Sequence, residues 1–139
     1  MIILDTNVLS AVMRRDADPI IVAWLDRQPS ESLWITTITI FEIRFGLELL
    51  PDGRRRVELE KAFAEALEAD FQRRILPFDI RAAEEAAMLA ARRRNAGQTV
   101  EFRDTQIAGI ALARQAALAT RNVRHFQDVP VKVIDPWLI

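Results

Sequence analysis

The chain predicts an α/β domain with a central parallel sheet and helices on both faces. Three observations lead there. Apolar runs without polar alternation recur at 2–4, 33–37 and 117–120, the pattern of strands buried on both sides. Amphipathic stretches of helical period lie between them. The length, 139 residues, suits one domain spanning 1–139.

Each element has a local cause. Ile2-Ile3-Leu4 reads as the first strand, broken by Asp5-Thr6-Asn7, which can cap a short helix running through Arg14. Pro19 suits the first turn of a second helix that ends near Pro29. Leu33 to Thr37, rich in β-formers, is a second strand. A helix follows from Thr39 to about Leu50, closed by Pro51-Asp52-Gly53. The stretch from Arg55 to about Phe71 carries Leu59, Ala62, Phe63, Ala66 and Leu67 on one face. Ile75 to Phe78 is a short third strand. Ala82 to Arg94 is an Ala-rich helix stopped by Asn95-Ala96-Gly97, and Asp104 to Gln115 is another helix. Ala117 to Thr120 and Val131 to Ile134 complete a parallel sheet of about five strands in an α/β/α sandwich.

Composition removes several chemistries. There is no Cys, so thiolate metal sites and a Cys nucleophile are excluded. With His125 the single His, a His-rich zinc centre is excluded too. Net charge is -1, which argues against nucleic-acid binding by bulk electrostatics alone. All but Lys61 and Lys132 of the 19 basic residues are Arg, the side chain suited to bidentate bonds with phosphate. A coding bias explains that excess equally well. No apolar run approaches the ~18 residues of a membrane span. The start, which meets an acid at residue 5, lacks the form of a signal peptide, so the expectation is a cytoplasmic protein without membrane contact.

In open parallel sheets, sites form beyond the carboxyl ends of strands. Asp5 ends the first strand, Glu42 falls in the first turn of the helix after the second, and Asp104 starts the helix before the fourth. Thr120 and Asn122 end the fourth. Each has a purely structural alternative. Asp5 or Asn7 can be a helix cap, Thr39 to Glu42 fits a capping box, Asp104 can oppose a helix dipole, and Asn122 can stabilise a turn. Gathered carboxylates repel unless a cation neutralises them, and an oxygen-only donor set suits Mg²⁺ or Mn²⁺.

The order and spacing of the motifs resemble the PIN domain, and within it the VapC-type toxins of bacterial toxin–antitoxin pairs, in the branch that includes FitB-like proteins. The resemblance spans nearly the whole chain. It rests on Ile2-Ile3-Leu4-Asp5-Thr6-Asn7-Val8, Ile40-Phe41-Glu42-Ile43 with Gly46, Asp104-Thr105-Gln106-Ile107-Ala108, Thr120-Arg121-Asn122-Val123-Arg124 with Phe126, and Pro136-Trp137. It implies an endoribonuclease dependent on Mg²⁺ or Mn²⁺. Asp5, Glu42 and Asp104 would hold the metal, with Asn122 at the place of a fourth acid in the catalytic set. Thr6, Thr120, Arg121 and Arg124 would position ligands or substrate RNA. The departures are Asn122, His125 where relatives often carry Asp, and Asp135 where they often carry Asn.

Arg54-Arg55-Arg56 and Arg92-Arg93-Arg94 are further candidates for RNA phosphates, or simply solvated helix ends. His125 is a candidate general acid or an ordinary loop residue, and Trp137 reads as a packing anchor. The implied partner is a cognate antitoxin with a DNA-binding N-terminal half, which would carry the pair to operator DNA. Its C-terminal segment is expected in an apolar groove near the 41–50 helix, pushing a basic side chain toward the three acids. A homodimer through Phe45, Leu49, Phe63 and Leu67 is expected, unless these residues only fill the monomer core. Two other readings remain: a catalytically weak PIN fold that only binds RNA or protein, and a haloacid-dehalogenase-type phosphatase. Asn7 stands where the latter needs a second Asp, which counts against it.

Overall fold

A computed structural model describes all residues, Met1 to Ile139. Five strands form one parallel sheet: β1 (Ile2–Leu4), β2 (Leu33–Thr36), β3 (Ile75–Leu76), β4 (Ala117–Ala119) and β5 (Val133–Ile134). Their spatial order is β3-β2-β1-β4-β5. The chain therefore builds outward from β1 in one direction, then returns to β1's other side with β4. That reversal lies between β1 and β4, where Ile3 sits opposite Leu118 and Leu4 opposite Ala119.

Six helices cover the sheet: α1 (Thr6–Met13), α2 (Pro19–Asp26), α3 (Thr37–Leu49), α4 (Arg54–Glu65), α5 (Ile80–Asn95) and α6 (Phe102–Arg114). Alternation along the strands divides the core in two. Leu4, Ile35 and Ala119 join Val8, Trp24, Ile43, Leu47 and Phe63 under α1 to α4. Ile3, Leu76 and Leu118 join Leu89, Ile107, Ile110 and Phe126 under α5 and α6. This is the three-layer α/β/α arrangement expected from the sequence.

α5 and α6 approach closely because their shared face is made of Ala and Gly109. A Cβ on Gly109 would stand 2.5 Å from the Ala82 carbonyl oxygen and 2.7 Å from the Ala86 Cβ. Phe126, wholly buried, pins the short 3₁₀ turn Val123–Phe126 to this layer. Burial of a Phe contributes roughly 1.5–3 kcal/mol, enough to hold a short turn in place.

Several boundaries differ from expectation, each for a local reason. α3 begins at Thr37 because Thr36, not Thr39, is its cap: the Thr39 amide donates to the Thr36 hydroxyl at 3.1 Å. Glu42 is thus in the second turn and closes no capping box. α6 begins at Phe102, capped by the Glu101 carboxylate, which accepts from the Asp104 amide at 2.6 Å. The Arg55–Phe71 helix divides: α4 ends at Glu65 and a π turn covers Ala66–Asp70. β3 stops at Leu76, and the Phe78 amide turns to the Thr37 hydroxyl. Phe63 is buried, so it is not available to a dimer interface, and Leu67 is partly buried against the same core.

Candidate active site

The site grows from the point where the strand order reverses. Asp5 leaves the end of β1 and its Oδ1 accepts the Thr6 amide at 2.8 Å, so it does cap α1. The cap uses only one oxygen. Oδ2 accepts the Thr120 hydroxyl from the end of β4 at 2.7 Å, and the Asn7 amide at 3.3 Å. Asn7 also accepts the Arg121 amide at 3.2 Å. Two strand ends, 115 positions apart in sequence, are thereby locked together.

Asp5 is 3% exposed. Burial raises its pKa to about 6, and the negative fields of Asp104 and Glu42 add to the effect. The Thr120 hydroxyl and Thr6 amide oppose it. All the donors to this carboxylate are neutral. Its ionised form is therefore short of positive charge, although every buried polar side-chain atom has a hydrogen-bond partner.

Glu42 reaches the same region from α3. Its Oε1 accepts the Thr6 hydroxyl at 2.7 Å, and that hydroxyl lies 3.0 Å from Thr39 Oγ1. Arg103 stands 3.8 Å from its other oxygen, an outer ion pair. Asp104, in the first turn of α6, has its Oδ2 2.6 Å from Nδ1 of His125. No three acidic or imidazole side chains stand together as a closed ion site. Glu42 and Asp104 each hold another partner, while both contribute to the field at Asp5.

The remaining sequence candidates are placed as follows. Asn122 is exposed, and its side chain has no hydrogen bond within the protein; its backbone N–H donates to the Thr120 hydroxyl at 3.0 Å and its carbonyl accepts from the His125 amide at 2.9 Å. Arg121 lies over the Trp137 ring at 4.8 Å, and the indole N–H donates to Asp18 at 2.9 Å. Trp137 thus packs against the core and anchors Arg121. Arg124 is exposed beside His125 and makes no ion pair.

One candidate is corrected outright. Arg93 is not a free phosphate ligand: it is 7% exposed and committed on every side. It forks Asp128 through two bonds of 2.8 Å, donates to Thr105 Oγ1 at 3.0 Å, and donates to the His125 carbonyl at 2.8 Å. It ties α5 to the first turn of α6 and to the 3₁₀ turn, the two segments that carry Asp104 and His125. The Arg93 guanidinium in turn holds the Asp128 carboxyl below its ordinary range.

Arg103 carries no signal in the sequence, Thr105 appears there only within the Asp104 motif, and Arg93 reads there as a phosphate ligand or a solvated helix end. Asn7 was visible within Asp5-Thr6-Asn7, though as a helix cap. Nothing near Arg93 in sequence distinguishes it from Arg92 or Arg94.

An apolar cleft also lies away from the 41–50 helix, whose own Phe41, Phe45 and Leu49 are exposed. A cleft of about 620 Å³ lies between α1, α2 and α4, lined by Leu9, Val12, Val22, Leu25 and Phe71 among others. α3 contributes nothing to it. No helix is long and apolar enough to cross a membrane.

Comparison with known proteins gives the same pattern a name. Plasmid stability protein StbB of Pseudomonas syringae pv. tomato is 40% identical over 99% of both chains. VapC ribonuclease Y4jK of Sinorhizobium fredii is 35% identical over 99% of this chain and 98% of its own. Among solved structures, FitAB bound to an IR36 DNA fragment contains a chain 34% identical to this one. It superposes with a TM-score of 0.88, covering 99% of this chain and 96% of that one. Residues 2–132 match the sequence profile of the PIN domain, and the chain belongs to that family.

Proposed function

We propose that this chain is the toxin of a type II toxin–antitoxin pair, an endoribonuclease that hydrolyses RNA phosphodiester bonds with Mg²⁺ or Mn²⁺. One observation carries the reading. A carboxylate buried at the strand-order switch has neutral donors only, and burial, with a smaller contribution from two further carboxylates on distant segments, raises its pKa. A cation is what such a group lacks, and the donors are the hard oxygens that Mg²⁺ and Mn²⁺ prefer. The donor chemistry fits. Asp5 and Asp104 would hold the ion, with Glu42 completing its shell or orienting a water, once Glu42 and Asp104 share or exchange their present partners.

When bound, the ion would lower the pKa of a water and screen the phosphate. The rest falls to the chain itself. Thr120 and Asn7 fix the Asp5 carboxylate from one side, and the Thr6 hydroxyl holds Glu42. Arg124 would bond a phosphate oxygen, Asn122 stands at the place of a fourth acid, and Arg121 is braced on Trp137. Water as the nucleophile leaves a 5′-phosphate and a 3′-hydroxyl.

The test is incubation of the purified chain with cellular RNA, followed by 5′-end mapping. Cleavage is expected with Mg²⁺ or Mn²⁺ and not in EDTA. Full activity in excess EDTA refutes the metal mechanism. A second reading, a weakly catalytic PIN fold that only binds RNA or protein, is favoured by Asn122 at the fourth acid's place and by the diverted Glu42 and Asp104. It predicts RNA retention without cleavage in the same assay.

The VapC ribonuclease name of one relative and the DNA-bound FitAB structure support a cognate antitoxin, which brings the pair to operator DNA. The chain itself is a homodimer in this reading. Phe41, Phe45 and Leu49 remain exposed on α3, with the two Phe rings stacked at 6.1 Å. A monomer by sedimentation at tens of micromolar would count against that assembly.

A further inference from the structure

A cleft of about 440 Å³ opens beside the candidate active site, and no apolar side chain lines it. That volume suits a ligand of nucleotide size. Asp104 belongs to both places: its charge acts on Asp5, and its side chain walls the cleft.

Part of the lining is committed and part is free. The buried Arg93 forks Asp128, His125 meets Asp104 at 2.6 Å, and the Glu101 carboxylate caps α6. Gln98, Thr99, Arg124 and Gln127 complete the lining. Their side chains make no hydrogen bond within the protein, so two amides, a hydroxyl and a guanidinium are available to a ligand.

We infer that this cleft is a purine subsite, holding an unpaired nucleotide that flanks the scissile bond and setting which RNA sequence is cut. The inference rests on the ribonuclease reading above. RNA is read by sequence mainly where bases are splayed out, stacked on His, aromatic or Arg planes, and hydrogen-bonded along their edges. His125 and Arg124 supply the planes. A Gln amide presents a donor and an acceptor side by side, which matches an adenine edge. The larger purine ring offers more stacking area on those planes than a pyrimidine does. Arg93 acts as a positioning residue, holding the two segments that form the walls at a fixed separation.

The experiment has two arms. In the first, cleavage of an RNA library is compared between the native chain and a Gln98→Ala, Gln127→Ala variant in Mg²⁺. The native chain is expected to require a purine at one position beside the cut. The variant should keep its melting temperature, raise KM on the preferred sequence about tenfold, and flatten that preference, since roughly one to two hydrogen bonds are lost. Arg124→Ala should raise KM for every sequence alike. An unchanged preference in the double variant overturns the subsite.

In the second arm, the four ribonucleoside 5′-monophosphates and inorganic phosphate are titrated in EDTA, with backbone amide NMR shifts as the readout. AMP or GMP should move Gln98, Thr99 and Gln127 more than CMP, UMP or phosphate does. Equal shifts from phosphate, or stronger ones from the pyrimidines, overturn the inference. If no RNA is cut in the first arm, the ribonuclease reading fails, and the second arm still decides whether the cleft takes a purine.

Discussion

Asp5 and Arg93 are both charged and both buried, at 3% and 7% exposure, yet they are treated in opposite ways. Arg93 has a full set of acceptors, including a bidentate carboxylate. Asp5 has three neutral donors and two negative neighbours. The first arrangement balances its charge inside the fold; the second leaves a charge for something outside the chain to balance. A buried charge with its counter-ion built in is a structural joint. One whose pKa is driven the wrong way by its surroundings is a candidate place for a ligand, which in the proposed function is a cation.

The largest expected effect breaks the Asp5 side. Asp5→Asn or Asp104→Asn keeps the shape but removes a charge the ion requires. RNA cleavage should fall by at least about a thousandfold, roughly 4 kcal/mol of transition-state stabilisation. Retention of a tenth of native activity would argue that the carboxylate is no metal ligand.

Next comes the Arg93 side. Arg93→Met strands Asp128 and removes the link to Thr105 and the 3₁₀ turn. Loss of one partner of a buried pair costs about 3–5 kcal/mol, and the half-exposed Asp128 places this case at or just below the lower end. Denaturant unfolding should therefore show a loss of about 2–3 kcal/mol.

The same logic predicts a gain in stability at Asp5. Its folded pKa of about 6 lies above the ordinary 3.8, so its ionised form is disfavoured in the fold. That deficit is absent below about pH 4 and complete above pH 6. Two units at 1.36 kcal/mol each give about 3 kcal/mol. In EDTA at pH 8, Asp5→Asn should be more stable than the native chain by up to that amount, and the two should converge near pH 4. Asp128 works the other way: its pKa is lowered, so its contribution is present above the ordinary carboxylate range and is lost as the solution becomes more acid. The native chain in EDTA should therefore be most stable at mildly acid pH. Thermal melts across pH 3–8 check both statements.

The smallest effect sharpens the comparison. Asn122→Asp adds an acid at an exposed position whose side chain has no partner. Activity should stay level or rise severalfold, read from initial rates at limiting Mg²⁺. A large loss would mean that the Asn122 amide itself bonds the substrate.

The local rules were legible in the chain. Short apolar runs gave the strands, because burial on both faces removes the polar alternation. Asp5 as a cap and Pro19 at a helix start follow from unsatisfied amides within one turn. Asp5, Glu42 and Asp104 could be picked out because strand ends and helix starts are where a parallel sheet presents polar groups. Where the sequence misled, two local choices were nearly equal. Thr36 and Thr39 are both competent caps, and Thr36 prevails because β2 runs straight into α3 with no intervening loop.

What only the tertiary structure decided is which distant groups meet. Strand order put Thr120 on Asp5 across 115 positions, and the turn pinned by Phe126 put His125 on Asp104 across 21. Arg93 was indistinguishable from its neighbours until helix packing turned it inward, while Phe63 and Leu67 went to the core and Phe45 and Leu49 to the surface. Hydrophobic period and capping act within a few residues, so a linear reading recovers them. A buried charge and its partner are matched by the packing of whole elements, and neither residue alone carries the signal.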